Sequence, residues 1–205
     1  MPCLIGTGFC ATDQSTWFNR WLPNTLAHGG RLVVVDNSQS PGLRKLDDSY
    51  QIVRLWKNLG HMSAPARHAT RFTGWSISWM IPALMAYSEG CDFIYKEEDC
   101  YAFGDWFNAI QCGDFTVGRN SIMPCEQSLF FIRHGAILDV LAKYQSIPQS
   151  DCQVSTEEKF VMCGATFHDV GPGRDRPLTP ERLPWAAQKL TQEEIYEFTN
   201  NPRLV

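Results

Sequence analysis

Arg31-Leu32-Val33-Val34-Val35-Asp36 is a continuous β-branched run with no polar alternation, and it limits the possible folds more than any other stretch. Such a run needs cover on both faces, as for a strand inside a mainly parallel sheet with helices on either side. It stops abruptly at Asp36-Asn37-Ser38-Gln39-Ser40-Pro41-Gly42, which is loop chemistry.

The neighbouring chain supplies the rest of that sheet. Residues 4–10 are apolar and Gly-containing. Thr12-Asp13-Gln14-Ser15 then offers N-caps ahead of Trp17, Phe18, Trp21, Leu22 and Leu26 at helical spacing. Residues 51–56 read as a third strand, followed by Lys57-Asn58-Leu59-Gly60-His61. A polar segment with Arg67, His68 and Arg71 precedes a helix over 73–89, where Pro82 removes a helical donor and is expected to kink or divide it. Gly90 closes that helix, and residues 91–96 form a fourth strand. Beyond it the pattern predicts a short helix at 101–110, strands at 114–119 and 128–133, and helices at 136–144 and from 156. His168 falls on a loop, and a last amphipathic helix spans 191–200. Strands alternating with helices predict a single-domain α/β/α sandwich with a mostly parallel central sheet. Residues 1–205 form one domain, with 171–205 as a C-terminal loop and helix extension.

At 205 residues with a formal charge of −4 and no Lys/Arg run, the chain has no electrostatic footprint for nucleic acid or an anionic membrane. None of the eight cysteines falls in a Cys-x-x-Cys pair, so reduced, mostly buried thiols are expected in preference to a zinc knuckle. The N-terminus lacks the pattern of a signal peptide and no apolar run reaches membrane-spanning length. The expected location is cytoplasmic, free or peripheral to a membrane, with no transmembrane segment.

In α/β sheets ligands gather at the carboxyl ends of strands, and polar residues recur there: Thr12 and Asp13, Asp36 to Ser38, Asn58 to His61, and Glu97-Glu98-Asp99. Three adjacent carboxylates repel one another, so their place at a strand end points to a bound cation. With an extended backbone, Glu97 and Asp99 share one face and Glu98 takes the other.

With these motifs in order, residues 4–170 resemble the nucleotide-sugar-dependent glycosyltransferases of the GT-A fold, a Rossmann-like sandwich. The resemblance implies that Asp36 contacts the nucleobase or ribose and that Glu97-Glu98-Asp99 is the strand-end acidic motif. In that motif Asp99 binds Mn²⁺ or Mg²⁺, and Glu97 and Glu98 lie beside metal and ribose. It implies further that Glu157-Glu158 is the acidic pair at a helix start, with Glu158 as base although Asp is usual there. The late His168 completes the metal shell, and the segment Glu126-Gln127-Ser128-Leu129-Phe130-Phe131-Ile132-Arg133 is similar to the family's loop and strand beside the donor sugar. Thr12, Asn58, Arg67 and Arg71 are candidate donor contacts, with a helix N-terminus near Ser63 as another.

The implied reaction is metal-dependent transfer of a sugar from a nucleoside diphosphate to a hydroxyl of a glycan, lipid or small-molecule acceptor. An inverting course has Glu158 taking the acceptor proton. A sugar-phosphate nucleotidyltransferase is one alternative, though Phe9-Cys10-Ala11-Thr12 is not a Gly-rich, basic phosphate loop. The other alternative is a non-catalytic module that binds nucleotide sugars.

Overall fold

The structure is a computed structural model that describes residues 3–9, 15–38, 48–56, 59, 71–119, 126–169, 186–188 and 190–199. Along the chain, β1 (Cys3–Phe9), α1 (Ser15–Leu26), β2 (Arg31–Asp36), β3 (Tyr50–Arg54), α2 (Gly74–Ser88) and β4 (Asp92–Lys96) come first. They are followed by β5 (Cys100–Ala102), α3 (Trp106–Ala109), β6 (Phe115–Arg119), β7 (Glu126–Ile132), α4 (Ile137–Ser146) and α5 (Thr156–Met162). The last elements are β8 (Thr166–Asp169), β9 (Ala186–Gln188) and α6 (Gln192–Thr199).

Seven strands form one mixed sheet in the order β3-β2-β1-β4-β7-β6-β8, and β5 pairs with β9 in a second small sheet. The pairs β3-β2, β2-β1, β1-β4 and β6-β8 are parallel, and β7 runs against both of its neighbours. All strands of the main sheet except β7 therefore point the same way. The carboxyl ends of β1, β2, β3, β4, β6 and β8 share one edge. The chain builds outward from β1 to β2 and β3, then returns to place β4 on the other side of β1. This reversal makes the β1/β4 boundary a topological switch point, where such sheets leave a crevice.

Every residue of β1 and β4 is buried, and β2 is buried after Arg31, so the helices cover both faces of the central strands. One core layer joins Ile5, Val34 and Ile94 to Phe18 and Trp21 of α1 and Trp106 of α3. The other joins Leu4, Val33 and Phe93 to Trp79 and Ala83 of α2, Tyr144 of α4 and Phe160 of α5. Burying each large side chain is worth roughly 1.5–3 kcal/mol, so these layers hold the α/β/α sandwich together. The helix α2 runs unbroken through Pro82, whose ring packs against β1 where a side chain at Gly6 would approach it to 2.8 Å.

Other sequence expectations shift. Residues 100–102 are strand, and the predicted helix shrinks to Trp106–Ala109. His168 lies in β8 and not on a loop. The four residues of β8 have an exposed edge-strand pattern with no apolar run to announce them. Among the described residues no helix is long and apolar enough to cross a membrane.

Candidate functional site

At the switch point β4 ends at Lys96. Glu97 continues the ladder by donating its N–H to Ser128 O at 2.9 Å, and Cys100 N–H returns to Glu97 O at 3.0 Å. Residues 97–100 are thus a β-turn with Glu98 and Asp99 at its corners. This differs from the extended arrangement that pairs Glu97 with Asp99. Glu97 is buried and accepts from the indole N–H of Trp75 on α2, so it belongs to the α2 layer. Glu98 and Asp99 remain partly exposed. Burial pushes the Glu98 carboxyl up to about 8, and the adjacent Asp99 adds to the rise.

Between Val117 and Gly118 the β6/β7 register shifts, so that Gly118 pairs with Glu126 at the start of β7, while on the other side of β7 Leu129 pairs with Lys96 of β4. Gln127 follows next to Ser128, and its Oε1 is buried with no hydrogen-bond partner among the described residues. The two turn carboxylates, Glu98 and Asp99, are oxygen donors of the kind hard divalent cations take. No group of three or more His, Cys, Asp and Glu side chains converges as a metal-ligand set among the described residues.

Asp36 closes β2 and is 2% exposed. Its Oδ1 accepts from the Ser38 N–H at 3.0 Å and from the Ser38 hydroxyl, and its Oδ2 accepts from Arg54 Nη1 at 2.9 Å. The half-exposed Arg54 guanidinium therefore presents its charge beside the carboxylate that was expected to face a nucleoside. Asn37 packs on the first turn of α2, where a Cβ at Gly74 would come within 1.9 Å of its amide nitrogen.

The N-terminus of α2 reaches the same edge, since α2 leads into β4. Thr73 caps it through Ser76 N–H, and Asp151 accepts from Thr73 N–H and Ser76 Oγ, each at 2.7 Å. Lys159 of α5 donates to the other Asp151 oxygen at 2.7 Å, with both side chains fully buried. This network ties Lys159, in the middle of α5, to the start of α2. Trp75 then links them to the acid turn, lying 5.9 Å from the Phe160 ring while donating to Glu97.

On α5, Glu158 is drawn into the helix's own capping box. Its Oε2 accepts from Ser155 N–H at 2.9 Å and Ser155 Oγ at 3.1 Å. Glu157 is half-buried, lies on the flank of the helix next to Phe160, and stands outside that box. His168 on β8 pairs in register with Gly118 of β6, and β8 lies three strands from β4, or roughly 14 Å at ~4.8 Å per strand. It is not brought beside Asp99. Arg71 caps the end of α4 through the carbonyls of Gln145 and Ile147. Thr12, Asn58 and Arg67 lie outside the described residues, as does Ser63.

The sequence reading passed over Lys96, Asn24, Trp75, Arg54 and Asp151. Lys96 alone carried a signal, as the one basic residue of a strand whose middle is apolar. The rest read as ordinary helix, strand or loop residues until the fold joined them.

Comparison with protein-family models and with curated proteins gives no match. Among solved structures, the chain is similar to a glycosyltransferase involved in the glycosylation of the major capsid of PBCV-1, at 12% identity and a TM-score of 0.47, covering 96% of this chain and 100% of that one. It is also similar to the apo form of the glycosyltransferase GlyE of Streptococcus pneumoniae TIGR4, at 8% identity and a TM-score of 0.45, covering 94% of this chain and 55% of that one. At such identities these are likenesses of overall shape.

Proposed function

We propose that the chain is a metal-dependent glycosyltransferase that moves a sugar from a nucleoside diphosphate to an acceptor hydroxyl. The observation that carries this reading is the acid turn at the β1/β4 switch point, closed by Cys100 N–H to Glu97 O. Burial and the adjacent Asp99 raise the Glu98 carboxyl, and a divalent cation there favours its charged form.

Asp99 is the principal ligand, with Glu98 next to it, and the oxygen set suits Mg²⁺ or Mn²⁺. When bound, the ion supplies neutralisation of the charge that gathers on the departing diphosphate. His168 stands as a second ligand proposed on the sequence alone. Asp36 orients Arg54, and the pair contacts the nucleoside. Thr12, Asn58 and Arg67 stand as further donor contacts proposed on the sequence.

The acceptor proton passes to the acid pair that opens α5. Glu158 must leave its cap to receive it, whereas Glu157 need not. A carboxylate base contributes roughly 10²- to 10⁴-fold, and attack opposite the leaving group inverts the anomeric centre. The capped Glu158 favours one second reading, a module that binds nucleotide sugars without turnover.

Titration of UDP, GDP and their hexose conjugates, with Mn²⁺ and then with EDTA, tests the proposal on the wild-type chain and Asp99→Ala. Binding of one nucleotide that disappears with EDTA and in the folded variant is expected. Binding indifferent to both changes would sink the assignment. Donor cleavage separates the enzyme from the silent module.

A further inference from the structure

Lys96 closes β4 with no exposure at all. Its Nζ donates to Asn24 Oδ1 at 2.8 Å and Thr25 Oγ1 at 2.7 Å, both on α1. It also lies 5.0 Å from the Trp21 ring centroid and 5.4 Å from that of Trp106. Among the described residues no carboxylate comes within ion-pair distance of it. Burying an ammonium without a counter-ion is costly, and burial pushes this amine down to about 7. A methionine would fill the same space without that penalty. What a methionine would not do is tie the end of the strand to α1 by two hydrogen bonds.

Asn24 completes the tie. Its Oδ1 accepts from Lys96 and also from the Ala102 N–H at 3.2 Å, while its Nδ2 donates to Ala102 O at 2.8 Å. One amide on α1 therefore holds the residue just before the acid turn and a residue just after it. The Cys100 N–H to Glu97 O bond closes the turn between those two points.

We infer that Asn24 and Lys96 are positioning residues that bracket residues 97–99 and hold the acid turn ready for a divalent cation and the diphosphate oxygens before either arrives. This inference rests on the proposed function of that turn. An ordinary buried polar network would alter ligand binding only through global stability. A bracket alters the turn itself.

Asn24→Asp in the full chain separates the two. It keeps an acceptor for Lys96 and adds a counter-charge, but it sets a carboxylate oxygen against the Ala102 carbonyl. Val140→Ala, a core truncation on α4, serves as a comparison for lost stability. Two quantities are read: Mn²⁺-dependent binding of UDP and GDP, and amide hydrogen exchange without metal or nucleotide. For Asn24→Asp the expected result is metal-dependent binding weakened about 10- to 100-fold. Exchange at Cys100 and Ala102 should be about tenfold faster or more, while Val117 and Phe130 stay protected. Val140→Ala should change exchange at all four sites alike and leave nucleotide binding in place. Wild-type binding and exchange in Asn24→Asp overturn the inference. If the wild-type chain binds neither nucleotide, the proposed function fails, and exchange at Cys100 and Ala102 alone decides whether the bracket exists.

Discussion

A carboxylate that accepts two hydrogen bonds from its own helix cap is held away from other work. Glu158 is in that position, while Glu157, one residue earlier, is half-buried outside the cap. If the base is Glu157, Glu157→Gln lowers transfer by roughly 10²- to 10⁴-fold with donor affinity nearly unchanged. Glu158→Gln then keeps both the capping box and the activity. The reverse result would return the role to Glu158 and require the box to open during turnover. Steady-state transfer rates, donor titration and thermal midpoints of the two variants decide it. Three adjacent acids and an acidic pair were legible as residue types. Their directions were not, because a hydrogen bond from Trp75 or Ser155 to a carboxylate depends on contacts that spacing alone does not specify.

At the scale of elements, one buried carboxylate joins three helices. Asp151 takes hydrogen bonds from Thr73 and Ser76 of the α2 start, Tyr144 of α4 and Lys159 of α5. Burial by itself raises the Asp151 carboxyl, but Lys159, the Thr73 N–H and the Ser76 hydroxyl outweigh it and hold the group below its ordinary value of 3.8. The folded protein therefore binds fewer protons here than the unfolded chain. The stabilisation is present above that ordinary value and is lost as pH falls through the lowered one. Asp151→Asn leaves Lys159 buried without its partner, at a cost of roughly 3–5 kcal/mol. It should also flatten the loss of stability below about pH 4. Urea unfolding from neutral to acid pH checks both, and a wild-type-like acid limb in the variant would dismiss the pair as the cause. The elements themselves were largely legible, since β2 and α2 announce themselves by apolar run and cap. The strand β8 did not, because an exposed four-residue edge strand takes its structure from β6 and not from its own pattern.

For the whole molecule, the close approach of α2 to β1 sets the spacing of the layers. A Cβ at Gly8 would stand 2.7 Å from Ser78 Oγ and 2.8 Å from its Cβ. Gly8→Ala must therefore lift α2 from the sheet, costing about 1–3 kcal/mol as overpacking does. It should also disturb the bond between Ser78 and Tyr95, now 2.9 Å. Equilibrium unfolding reads the first effect, and an unchanged midpoint would show that α2 adjusts freely. The sequence by itself determined the α/β alternation, the burial of the central strands and the gathering of acids at strand ends, because these follow from local periodicity and from the solvation of charge. Only the tertiary structure decided that β7 runs against its neighbours, that His168 stands three strands from the acid turn, that Glu158 caps its own helix, and that Asn24 and Lys96 grip the turn from α1. Each of these is a contact between residues far apart in the chain, settled by how the layers pack and by which buried polar groups find partners.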